Sequence, residues 1–100
     1  MNGLIDTLVA PVRLRICAFL SGCEEADFGA VQQYCELTKS NLSKQLTVLS
    51  ERGLVEIRKV QAGRYVKTRL RLTDAGEQAL SGHLAALQAI AQGAAGVHRT

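Results

Sequence analysis

Apolar residues fall at helical spacing from the start of the chain, with Leu4, Ile5, Leu8 and Val9 on one face. Pro11 interrupts the pattern. Proline is accepted in a first helical turn, so a new helix can begin there. Val12, Ile16, Phe19 and Leu20 keep one apolar face until Ser21-Gly22. Leu4–Leu20 therefore reads as one helix, broken or kinked near Pro11. A short second helix follows, with Asp27 as its predicted cap and Phe28, Val31 and Cys35 on one face. Leu37 lies in a tight turn after it.

The third helix has the clearest ends. Thr38 fits the N-cap, and Leu37 with Leu42 fits a hydrophobic staple. Leu42, Leu46 and Leu49 point inward. Gly53 fits the position after the helix that needs a left-handed backbone, and Leu54 beyond it fits the apolar contact of a Schellman motif. The spacing predicts a helix over about Lys39–Arg52. The period then changes to two. Val55 and Ile57 face one way, Glu56 and Arg58 the other. After a turn at Ala62-Gly63, Val66, Thr68, Leu70 and Leu72 share one face, and Tyr65, Lys67, Arg69 and Arg71 the other. This is a hairpin with one face on a core and one cationic face. Thr73 caps a last helix, whose first turn holds Asp74 and Glu77, where the helix dipole favours acids. Leu80, Leu84, Leu87 and Ala91 form its stripe, with Ala79, Ala86 and Ile90 beside it. Gly93 and Gly96 end the pattern.

One hundred residues make one domain. Residues 1–96 read as the folded unit and 97–100 as a frayed tail. The fold class is mainly α with a small β-hairpin. A short helix, a tight turn and a well-capped second helix form a helix-turn-helix, and the hairpin directly after it is a wing. The core must be mostly Leu, Val, Ile and Ala, because the aromatics are only Phe19, Phe28, Tyr34 and Tyr65.

Net charge is +3, and its distribution says more than its sum. Nine basic residues lie between Lys39 and Arg71, opposed only by Glu51 and Glu56, a local balance of +7. The rest of the chain carries −4. Such a dipole suits a polyanion approached from one side. The outward face of the third helix offers Ser40, Ser43, Lys44, Thr47 and Glu51, with Asn41 and Gln45 on its flanks. Short hydroxyls, amides and cations can reach base edges and phosphates in a major groove. The predicted reading residues are Thr38, Lys39, Ser40, Asn41, Ser43, Lys44, Gln45 and Thr47. On the wing, Lys59, Gln61, Arg64 and Lys67 flank the turn and could hold phosphates or enter a minor groove. Arg69 and Arg71 lie far from the tip and read as salt-bridged or solvated.

These motifs resemble the small winged-helix regulators related to the MarR and ArsR groups. The resemblance covers roughly residues 4–92. It is carried by Pro11-Val12-Arg13-Leu14-Arg15-Ile16, by Ala26-Asp27-Phe28 and by the run from Leu37 to Leu46. It continues in Leu49-Ser50-Glu51-Arg52-Gly53-Leu54-Val55 and in Thr68 to Gly76. Members of this family often have His where Gln45 stands. The resemblance implies dimers built from the first and last helices, with one recognition helix per half-site of double-stranded DNA. The apolar residues Leu4, Ile5, Leu8, Leu80, Leu84, Leu87 and Ala91 exceed what a three-helix core needs and read as that homodimer interface.

No catalytic or metal pattern stands out. His83 and His98 have no neighbours at ligand spacing, and His83 reads as a polar interface residue. Cys17, Cys23 and Cys35 match no disulfide or zinc spacing. Cys17 and Cys35 read as small core residues, and Cys23 as an exposed loop thiol. No catalytic motif or cofactor loop is present. No stretch approaches the roughly 20 apolar residues of a membrane span, and no secretion signal is visible, so a cytoplasmic location is expected. The expectation is a cofactor-free, non-enzymatic, sequence-specific regulator of transcription. A second reading keeps the fold but has the basic face bind a protein or RNA. The sequence names no effector.

Overall fold

The computed structural model describes residues 3–99, with side chains over 3–93. Its elements are α1 (Asp6–Val9), α2 (Pro11–Ser21), β1 (Ala26–Asp27), α3 (Phe28–Cys35), α4 (Lys39–Glu51), β2 (Val55–Ala62), β3 (Tyr65–Leu72) and α5 (Asp74–Arg99). Pro11 opens α2 after an extended Ala10, so the first apolar stretch is two helices, and Leu4 and Ile5 precede both. The proline's fixed φ fits N1, and its missing N–H is one the first turn would leave unpaired anyway.

The ends of α4 follow their predicted chemistry. Thr38 Oγ1 accepts the Asn41 N–H at 3.0 Å. At the other end Gly53 has φ 73°. Its N–H reaches the Ser50 carbonyl at 2.9 Å and the Leu54 N–H reaches the Leu49 carbonyl at 3.0 Å, the paired bonds of a Schellman motif. The turn between α3 and α4 uses the same device without a glycine. Glu36 adopts φ 54°, while the Glu36 and Leu37 N–H groups bond the Gln33 and Gln32 carbonyls.

The hairpin turn is Gly63-Arg64, one residue later than expected, because Ala62 pairs with Tyr65. Gly63 has φ 62° and takes the first central position, as in a type II′ turn. A third strand also appears. Ala26 and Asp27 pair antiparallel with Leu70 and Arg69, giving the order β1-β3-β2. Asp27 stands at the N-cap of α3 but makes no cap bond. Its carboxylate accepts from Arg69 Nη1 at 2.7 Å instead, which corrects its predicted role.

The central helix α2 packs on α3, α4, α5 and β3. Ile16, Leu20, Val31, Leu42, Leu46, Leu49, Leu70 and Leu80 are core, as are Cys17 and Cys35. Burial pushes the Cys17 thiol up to about 11. It also raises that of Cys35, against the pull of Arg15. Both are packing residues, while Cys23 is exposed.

Thr73 ties α5 to the end of α4. Its hydroxyl donates to the Gly53 carbonyl at 2.6 Å and accepts the Gly76 N–H at 2.9 Å. The close approach this enforces leaves no room at Gly76. A Cβ there would run into the Leu54 carbonyl oxygen and lie 2.7 Å from Leu72 Cδ1. Gly76→Val is therefore expected to destabilise the fold by about 3 kcal/mol, read as a lower urea midpoint at unchanged slope. A midpoint equal to wild type would show that α5 can move away from Leu54 and Leu72 at little cost.

Leu80, His83 and Ala86 are the inward face of α5. His83 is 1% exposed, and its Nδ1 accepts the Ile5 N–H at 3.0 Å. It fastens the amino-terminal segment within its own chain, where an interface residue was expected. The helix runs on through Gly93 and Gly96 to Arg99, past the end read from those glycines. Within a helix a glycine weakens but does not stop the hydrogen-bond ladder. Of the predicted frayed tail, Thr100 lies outside the described residues, and the side chains of 97–99, His98 included, lie outside the described side chains. At 26 residues α5 spans about 39 Å and makes the molecule long, 64 × 25 × 21 Å.

Candidate nucleic-acid interface

Helix α4 and the hairpin form one face. Leu42, Leu46 and Leu49 anchor α4 in the core, which turns Lys39, Ser40, Ser43, Lys44 and Thr47 outward, all exposed. Ile57, Val66 and Thr68 line the hairpin side. Between the two runs a groove of about 510 Å³, with Phe28, Leu46, Ile57 and Val66 as apolar walls. Lys39, Ser43, Thr47, Lys59 and Thr68 supply its polar groups. Lys59 Nζ donates to Thr68 Oγ1 at 3.0 Å, and both line the groove.

Several predicted site residues carry structural bonds. Thr38 is the N-cap. Thr47 Oγ1 donates to the Ser43 carbonyl at 3.0 Å, and Gln61 Nε2 donates to the Gly63 carbonyl at 2.7 Å, bracing the turn. Asn41 and Gln45 are half-buried and belong to a polar chain. Gln45 Nε2 donates to Asn41 Oδ1 at 3.0 Å, and Arg13 Nη1 donates to Gln45 Oε1 at 2.9 Å. Sequence reasoning missed Arg13, which lies 32 positions from Gln45; nothing local marks such a pair.

The charges sort by place. Arg58 and Arg69 are directly opposed across β2 and β3, and like charges so placed repel. Glu25 sits between them, accepting from Arg69 Nε at 2.8 Å and from Arg58 Nη2 at 2.8 Å. These bonds, Arg69 first, hold the Glu25 carboxyl below its ordinary value, and Glu25 and Asp27 raise that of Arg69. Arg71 pairs with Glu56 at 3.0 Å. The base of the hairpin is thus neutralised, so the full +7 of this segment is not presented to a partner. Among the described residues Lys39, Lys44, Arg52, Lys59, Arg64 and Lys67 make no ion pair. Five of these six lie on α4, the groove wall or the hairpin tip.

The predicted dimer residues divide. Leu8 and Leu80 are buried in the chain's own core, and Leu4 and Ile5 are half-buried. Leu84, Leu87 and Ala91 are exposed, as are Val9 and Ile90. Among the described residues no cluster could hold a metal ion, and no helix is long and apolar enough to cross a membrane.

Residues 12–91 match the family of the winged helix DNA-binding domain. The chain is 34% identical over 73 residues to an uncharacterized protein of Methanocaldococcus jannaschii, which covers 73% of this chain and 79% of that one. Among solved structures it is similar to a transcriptional regulator homologue from Pyrococcus horikoshii. That match has a TM-score of 0.83 and 36% identity, over 88% of this chain and 87% of the other. A MarR-family transcriptional regulator from Silicibacter pomeroyi aligns with a TM-score of 0.64 and 26% identity, over 88% of this chain and 55% of its own. With its capped helix α4, its wing and the long α5, the chain belongs to the winged helix DNA-binding domain family and is a non-enzymatic relative of the MarR-type transcriptional regulators.

Proposed function

We propose that the chain binds specific sites in double-stranded DNA as a homodimer and regulates transcription in the cytoplasm. The segregation of its charges carries this reading. Arginines at the hairpin base face acids, whereas the cations around α4 and the hairpin tip face solvent. Cations kept clear of acids are available to phosphates. The groove between α4 and the wing has lysines where a phosphate strand would pass, and the first half of α4 presents the hydroxyls of Ser40 and Ser43 and the amide of Asn41, groups suited to base edges. The exposed Leu84, Leu87 and Ile90 are the surface on which two subunits meet. A two-fold joining there places two reading helices roughly 34 Å apart, one DNA turn.

Two variants separate reading from holding. Lys44 stands on the outward face of α4, Arg64 at the hairpin tip. Lys44→Ala is expected to weaken a selected site more than random duplex, by about 1–3 kcal/mol. Arg64→Ala is expected to weaken both alike, as loss of a phosphate contact does. Equal losses for both variants on both DNAs would contradict this division, and binding of neither DNA by the wild-type chain would favour the protein or RNA partner.

A further inference from the structure

The polar chain beneath α4 has a direction. A guanidinium carries donors only. Arg13 donates through Nε to the Thr7 carbonyl at 2.7 Å and through Nη1 to Gln45 Oε1 at 2.9 Å. Gln45 must therefore turn its oxygen toward Arg13 and its amino group away. That amino group meets Asn41 Oδ1 at 3.0 Å. Asn41 in turn commits its oxygen to the chain, so the part of its amide left over for a base is the NH2. Turning Asn41 over would set two amino groups against each other. Turning Gln45 over would set an amino group against the guanidinium.

Asn41 lies in the first turn of α4, the part of a reading helix that meets base edges. An asparagine reads adenine with both ends at once, accepting from N6 and donating to N7. Here the oxygen is held one turn along the helix by Gln45, so the outward group is a donor. Guanine offers two acceptors, N7 and O6, on its major-groove edge. We propose that Asn41 reads guanine, and that Arg13 and Gln45 set this choice by fixing the polarity of its amide without touching a base. Gln45 is then a positioning residue. The inference rests on the DNA-binding reading above.

The test is selection from a randomised duplex library with the full chain and three variants. Wild type is expected to select a motif in which Asn41→Ala erases a guanine preference at one position of each half-site. That preference should be roughly 5- to 150-fold over adenine. Arg13→Met removes the donor that orients the chain, and should flatten the preference at that same position while the others persist. Gln45→Glu replaces the amino group with a second oxygen. Asn41 must then turn its NH2 inward and its oxygen outward, so the preference should move to a base presenting an amino group, adenine or cytosine. Melting of each variant shows whether it folds, and Gln45→Glu, at a half-buried site, decides the matter if Arg13→Met does not. Adenine at the Asn41-dependent position of the wild-type motif would overturn the inference alone. So would a guanine preference unchanged in Gln45→Glu, or an Asn41→Ala motif identical to wild type. No selection of any duplex by wild type would overturn the DNA-binding reading and this inference with it.

Discussion

Leu84→Glu is expected to convert a dimer to a monomer and to weaken binding to a selected site by about 10²–10⁴-fold. Leu84 is 45% exposed although it lies on the longest helix of the fold, and Leu87 and Ile90 beyond it are 39% and 49% exposed. Among the described side chains, those of α5 beyond Ala86 are all exposed. An apolar row that continues without cover is unusual on a monomer and marks an interface. In the proposed dimer a carboxylate placed there would face its own copy and lose its water. Splitting the dimer also separates two half-sites whose joint engagement multiplies affinity without any new contact, which sets the size of the expected loss. Sedimentation at micromolar concentration and binding to the selected duplex check the two effects together. A variant that keeps both its mass and its affinity would remove α5 from the interface. A variant that sediments as a monomer yet binds as before would show that one reading helix suffices. Leu80→Glu cannot serve the same purpose, because Leu80 is 4% exposed within its own subunit and its loss would unfold the core.

The elements written in local chemistry were legible. The ends of α4 follow from Thr38 and Gly53, and its buried face from Leu42, Leu46 and Leu49. The alternation after Leu54 identified the hairpin. What escaped was either too short to show a period or set by partners far along the chain. Two residues cannot display alternation, so nothing in the sequence marks Ala26 and Asp27 as a strand. Gly63 marks the hairpin turn but not its place within it: the two-residue loop begins at this glycine, because Ala62 pairs with Tyr65. Glu36 closes α3 in a left-handed conformation that a glycine would have announced.

The candidate site was legible as a face and not as a network. The exposure of Ser40, Ser43, Lys44 and Thr47 followed from the helix period. The ion pairs that quiet Arg58 and Arg69 join them to Glu25 over 33 and 44 positions. The hydrogen bond from Arg13 to Gln45 spans 32. These bonds change the meaning of the sequence. A cationic strand face is partly neutral, and a glutamine expected to read DNA has both ends of its amide engaged. The dimer residues show the same limit. Periodicity identified an excess of apolar positions but could not divide them between the subunit's own core, which takes Leu8 and Leu80, and its surface, where Leu84 and Leu87 lie.

The most direct measurement is the binding of the full chain to labelled duplex DNA, including genomic fragments, as salt is raised. The cations left unpaired around α4 and the hairpin tip, doubled in a dimer, suit contact with about 6–10 phosphates, and each neutralised phosphate releases condensed counterions. Binding is expected at low salt on any duplex, tighter on a selected site. It should weaken roughly 10³–10⁵-fold between about 50 and 200 mM salt. No binding to any duplex at the lowest salt, or an affinity that salt leaves unchanged, would contradict the account.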